Sequence, residues 1–270
     1  MSRYPNSEIE RYGVIIIESL SEVDIKTGSR LYNDLLRYRP SIEREFFAEL
    51  HTVTNRADFF ETFQQIMRNI EDNIMISIHI EAHGGELGIQ LASQQIVTWT
   101  ELHNVLRPIN IHLLGLLSVA IATCYSFPFT WSIDITKRAS FKTVVFTKRD
   151  MTVDEIERGF LAYYENFSNL LDSQKALAAL QEEVNEGDPH WSPFQMMVAD
   201  WAFDQISDPD NNTNFKEIVM TQYARMWFLN PAITPGEVER CIRKQFAFIR
   251  KYGKDFFLLK DLFNKSFEPI

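Results

Sequence analysis

Along the first two-thirds of the chain the apolar positions switch repeatedly between a continuous or two-residue pattern and a helical one. This predicts alternating strands and helices. Residues 12–18 form a short apolar run and predict a first buried strand. Thr27, Gly28 and Ser29 precede Leu31, Leu35 and Leu36, spaced as the inner face of a helix. Residues 45–54 predict a second strand, and residues 57–72 an amphipathic helix through Phe59, Phe60, Phe63, Ile66, Met67 and Ile70. A β-branched run from Ile74 ends at His83, and residues 87–97 alternate like a small hairpin. A short helix over 99–106, capped by Thr98 or Thr100, is expected to close near Pro108. A further apolar run from Leu116 ends at Cys124, and residues 141–147 predict one more strand. Thr152 and Glu155 have capping-box spacing and open a helix expected to reach about Leu171.

Beyond about residue 172 the strand signals stop. Helices are predicted over 173–184, 191–206 and 215–229, with breaks at 185–189 and 208–213. Thr234, with Pro235 behind it at the first helical position, opens another helix expected to end at Gly253. A last amphipathic piece carries Phe256, Phe257, Leu258, Leu259, Leu262 and Phe263. The fold class that follows is α/β, a mainly parallel sheet with helices on both faces, plus a C-terminal all-helical extension. The expected division is an α/β domain over 1–171 and the extension over 172–270.

Composition narrows the function. With 45% hydrophobic and 24% charged residues, the chain has the make-up of an ordinary globular protein. A formal net charge of -10, without a basic tract, argues against nucleic acid or an anionic membrane as partner. The longest apolar stretch, about 111–129, is interrupted by His112 and reads as a buried strand rather than a span. The first residues lack an apolar signal core, so a cytoplasmic location is expected. Two cysteines, Cys124 and Cys241, exclude both a disulfide framework and a four-thiolate zinc site. Cys241 reads as a small hydrophobe on a helix face with Phe246.

The candidate chemistry lies where two strands stop. His83 and Cys124 each close an apolar run and are followed at once by small or turn-forming residues. Ligands bind at the C-terminal ends of parallel strands in open α/β sheets, and an imidazole and a thiol delivered there can serve as base and nucleophile. His79, Glu81 and His83 share one face of a strand and form a possible metal line, but the helical metalloprotease spacing is absent. The glycines at 84, 85 and 88 lack the Lys-Ser/Thr of a phosphate loop. No metal and no cofactor is expected.

Taken in order, a first strand, a Thr-Gly-Ser turn, a helix, a strand ending in His83-Gly84 and a strand ending in Thr123-Cys124 resemble the caspase-like cysteine peptidases: caspases, metacaspases, separases and the CHAT group. The resemblance covers roughly residues 12–170, with His83 and Cys124 41 positions apart. It implies a caspase-like cysteine endopeptidase with Cys124 as nucleophile and His83 as general acid/base. The oxyanion hole would be the N–H groups of Gly84 and Cys124. Thr123 stands where many relatives carry Ala. Lys26 precedes the Thr-Gly-Ser turn where caspases carry a substrate-binding Arg, which implies an acidic residue before the scissile bond. Asp134 argues by charge complementarity for a basic one, and the two remain open. The implied partners are a protein or peptide substrate and a separate sensor or regulatory protein, as in bacterial defence or signalling systems. The alternative is a catalytically inactive interaction module on the same fold.

Overall fold

The computed structural model describes residues 9–167, 173–184, 192–210 and 215–265. In chain order it begins with β1 (Arg11–Ser19), α1 (Thr27–Asp34), a 3-10 segment (Leu36–Ser41), β2 (Phe46–Thr52), α2 (Arg56–Asn69) and β3 (Ile74–Gly84). A small hairpin, β4 (Gly88–Gln90) and β5 (Ile96–Thr98), leads into α3 (Trp99–His112). Then come β6 (Ser118–Ala122), α4 (Pro128–Trp131), β7 (Thr143–Thr147), α5 (Val153–Asn166), α6 (Ser173–Val184) and β8 (Phe194–Val198). The helices that follow are α7 (Ala199–Ser207), α8 (Phe215–Trp227), α9 (Pro235–Phe248), α10 (Lys254–Phe257) and α11 (Lys260–Lys265).

Contacts divide the described residues into two compact units. One holds those up to 133 with 140–198, the other 134–139 with those from 199 onward.

In the first unit the main sheet runs β2-β1-β3-β6-β7-β8. All pairs are parallel except β7 with β8. The central strands are buried on both faces: residues 13–19 of β1 and 74–82 of β3 are buried without interruption. Such unbroken runs suit a parallel sheet covered on both sides. Val14, Ile16 and Ala120 pack on one face with Leu31 of α1, Phe160 and Tyr164 of α5, and Leu180 of α6. Ile15 and Ile76 alternate to the opposite face, where they share a small cavity with Ile66 of α2. Three helices of this unit start where polar caps satisfy their first N–H groups. Asn55 accepts from the backbone of Ala57 and Asp58, and Thr98 and Thr152 form capping boxes with Glu101 and Glu155.

Several expectations are corrected. The segment expected to be one helix over 191–206 begins as strand: β8 occupies 194–198 and only then does α7 start. Strands therefore do not stop at residue 172. The helix α3 does not close near Pro108 but runs through it to His112. Pro108 and Asn104, whose carbonyl loses its helical donor, are both exposed, so water can take that donor's place. The helix α5 ends at Asn166, and its expected end at Leu171 lies outside the described residues, as do the break at 185–189 and residues 211–213 of the loop expected over 208–213.

In the second unit, Phe215 and Val219 of α8 pack with Val238 and Ile242 of α9. Gly253 does not end the helical run. It stays right-handed (φ -83°, ψ -20°) in a π turn, Ile249–Gly253, that passes directly into α10. Residues 134–139 are held here through Arg138, which binds Asp261 in a bidentate pair (2.8 and 2.6 Å), and through Ala139, whose N–H donates to the Phe257 carbonyl at 2.8 Å. Cys241 is exposed rather than a buried hydrophobe.

Candidate active site

The strand order reverses at β1. The chain places β2 on one side of it, then crosses to lay β3, β6 and β7 on the other. The C-terminal ends of β1 and β3 therefore flank the switch point where open α/β sheets bind ligands. His83 comes from β3, and Cys124 lies two residues beyond β6. In the β3–β6 register Ser77 faces Ser118 and Glu81 faces Ala122, an offset of 41 residues. The same offset relates His83 to Cys124. The imidazole and thiol residues thus occupy equivalent positions just past the last ladder pair of two neighbouring strands.

At this point β3 leaves β6 and pairs instead with the small hairpin, His83 opposite Gln90 and Gly84 opposite Ile89. Gly84 packs directly on the turn that carries the thiol. A Cβ there would collide with the Cys124 carbonyl oxygen and lie 2.5 Å from Thr123 Oγ1. Glycine is required at 84 to let the two strand ends approach. Beyond Cys124 the chain turns through Tyr125 in the left-handed region (φ 44°), unfavourable for a bulky residue. A buried staple holds the turn: Thr147 Oγ1 donates to the Thr123 carbonyl at 2.6 Å, and the Ser126 N–H donates to Thr147 Oγ1 at 3.1 Å. The half-buried thiol contacts the Met151 backbone, accepting from its N–H at 3.3 Å and lying 3.5 Å from its carbonyl.

The His83 side chain is half exposed (51%), and its Nε2 lies 3.1 Å from Asp24 Oδ2. Asp24 sits in the loop after β1, where the same Oδ2 accepts from the N–H (2.8 Å) and hydroxyl (2.7 Å) of Ser21. The Ser21 hydroxyl and N–H, and then His83, hold the Asp24 carboxyl down at about 2 against the opposing effect of burial.

Beneath this loop lie two buried carboxylates that face each other across β1 and β3, Glu18 and Glu81. Glu18 accepts from the N–H (2.9 Å) and hydroxyl (2.6 Å) of Ser29, tying the N-terminus of α1 to the sheet. Glu81 accepts from the Thr27 hydroxyl and lies 3.1 Å from His79 Nε2. The fully buried His79 uses its other nitrogen on the Tyr164 hydroxyl at 3.2 Å. The Thr-Gly-Ser turn is thus clamped from below. His79 and Glu81 are committed to each other, and no cluster of three or more potential metal ligands occurs among the described residues.

The two specificity candidates fare differently. Lys26 lies in the loop of Asp24, and its ammonium donates to the Leu20 carbonyl. Asp134 belongs to the second unit, where its carboxylate accepts from the N–H and hydroxyl of Thr136 and pairs with Lys137 at 3.3 Å. Sequence reasoning missed Asp24 and Ser21, although a Ser-x-x-Asp spacing marks a local side-chain turn. It also missed the Ser126–Thr147 staple and the left-handed Tyr125, for which nothing in the sequence gives a signal.

No protein-family model matches the chain, and no curated protein matches its sequence. Among solved structures the chain is similar to the Drosophila initiator caspase Dronc, with a TM-score of 0.47 and 11% identity over 71% of this chain and 81% of that one. No helix among the described residues is long and apolar enough to cross a membrane.

Proposed function

We propose that the chain is a caspase-like cysteine endopeptidase acting on a protein or peptide substrate through a Cys124–His83 dyad. The observation that carries this reading is the shared 41-residue offset: β3 and β6 deliver the two residues to equivalent places at the C-terminal edge of the sheet. In the proposed reaction the Cys124 thiolate attacks the scissile carbonyl carbon. The Gly84 and Cys124 N–H groups would receive the developing oxyanion. His83 would hold the thiol proton and give it to the departing amine as the C–N bond breaks, leaving a thioester. Water, deprotonated by His83, would then release the acid product and restore the thiol. Lys26 and Asp134 remain the candidates for reading the substrate side chain, acidic and basic respectively. A cytoplasmic setting and a separate sensor or regulatory protein belong to the same proposal.

One observation favours the second reading, a catalytically silent interaction module. The thiol is engaged by the Met151 backbone, whose N–H donates to its sulfur at 3.3 Å. A pooled peptide library read by mass spectrometry separates the two. The enzyme reading expects cleavage that disappears in both Cys124→Ala and His83→Ala. Cleavage that persists in either variant sinks the dyad, and a wild-type chain that cleaves nothing supports the module.

A further inference from the structure

We infer that Asp24 is a positioning residue for His83, so that the proposed site is an Asp24–His83–Cys124 triad assembled from the ends of β1, β3 and β6. The inference rests on the dyad reading above.

The geometry has three parts. Asp24 Oδ2 lies 3.1 Å from His83 Nε2, within reach of a hydrogen bond to an imidazole N–H. An ionised carboxylate can only accept, so Nε2 must carry the proton, and the lone pair falls to Nδ1, the nitrogen left to act as base. The carboxylate is itself fixed, because Ser21 supplies two donors to the same oxygen from three residues away. The loop that bears this pair is anchored at its far end, where Glu18 and Glu81 grip Ser29 and Thr27. A carboxylate so held does two things for a neighbouring imidazole. It selects one tautomer and ring orientation, and it stabilises the imidazolium that forms when the thiol loses its proton.

Ser21 also makes the role testable without losing the fold. An asparagine whose carbonyl oxygen replaces Oδ2 would still accept from Ser21 and His83, so Asp24→Asn keeps the orientation and removes the charge. Asp24→Ala removes both. The experiment uses the full chain with Cys241→Ser, so that Cys124 is the sole thiol. Long-range proton–nitrogen NMR spectra report the His83 tautomer, and iodoacetamide reports thiolate, because the Cys124 sulfur bonds to its methylene carbon and expels iodide into solution.

The wild-type and Asp24→Asn proteins are expected to show the Nε2–H tautomer alone, and Asp24→Ala a mixture with the Nδ1–H form. Alkylation of Cys124 at neutral pH should fall by about 10-fold in Asp24→Ala, toward the few per cent of thiolate that an unassisted thiol holds, with Asp24→Asn in between. If Asp24→Ala keeps the wild-type tautomer and rate while His83→Ala slows alkylation, the dyad stands and the role of Asp24 is overturned. If His83→Ala also alkylates at the wild-type rate, the dyad reading falls and takes the triad with it.

Discussion

Replacing Gly84 by alanine probes the closest approach in the site. The added methyl would overlap the Cys124 carbonyl oxygen and lie 2.5 Å from Thr123 Oγ1 and 2.8 Å from Thr123 Cβ. Neither obstacle can swing away: one is backbone, and the other belongs to a side chain with no exposed surface. Overpacking typically costs about 1–3 kcal/mol, and immovable neighbours put Gly84→Ala near the upper end, about 3 kcal/mol. At about 2–4 °C per kcal/mol for a protein of this size, the melting temperature should drop by about 6–12 °C. Gly85 is the internal control. A Cβ there meets nothing within 4 Å, and its φ lies outside the left-handed region. Gly85→Ala should therefore be neutral or stabilising by about 0.4–1 kcal/mol, through the reduced freedom of the unfolded chain. Scanning calorimetry on the two variants decides the matter. Equal melting temperatures would refute the claim that β3 and the Cys124 turn meet at Gly84.

Three further outcomes follow from buried polar groups. Burial depresses the His103 imidazole to about 4, despite its bond to the Phe129 carbonyl. The unfolded chain therefore binds a proton there between about pH 6.5 and 4 that the folded chain refuses, so stability is intact above that window and falls by about 3 kcal/mol across it. Urea midpoints should show this decline, and His103→Gln should flatten it; an unchanged slope contradicts the assignment. Arg39 donates to the Tyr164 and Phe167 carbonyls and pairs with Glu43 while nearly buried. Arg39→Ala should cost about 1–3 kcal/mol by stranding the two carbonyls and leaving the partly exposed Glu43 without its partner, with Arg39→Lys recovering only part, as read by urea unfolding. Glu18→Ala strands the two Ser29 donors and should cost about 1–3 kcal/mol, whereas Glu18→Gln should cost less because its amide oxygen still accepts. Equal losses for the two Glu18 variants would argue against the clamp.

The central strands were legible because β1, β3 and β6 are buried on both faces, which makes β-branched apolar runs unavoidable. Capped helices were legible because Thr98, Thr152 and Thr234 carry their signals locally. The strand β8 was hidden. Residues 194–198 hold a single β-branched residue, Val198, and run without a break into the helical spacing of α7, so periodicity alone joined them. Pro108 was misread because its effect depends on whether the orphaned carbonyl faces water, a fact of tertiary packing. At the site, the strand ends announced His83 and Cys124, but the glycine after His83 is required by the Thr123–Cys124 turn packed against it. Asp24 could not be seen, because its bond to His83 joins residues 59 positions apart through a loop.

The most direct test of the paired thiol and imidazole is competitive labelling inside one molecule. Wild-type protein is treated with limiting iodoacetamide at neutral pH, and modification at Cys124 is compared with that at the exposed Cys241 by peptide mapping. The half-buried Cys124 should react faster than Cys241, and that preference should vanish in His83→Ala. A slower Cys124, or a preference that survives the loss of His83, would contradict that pairing.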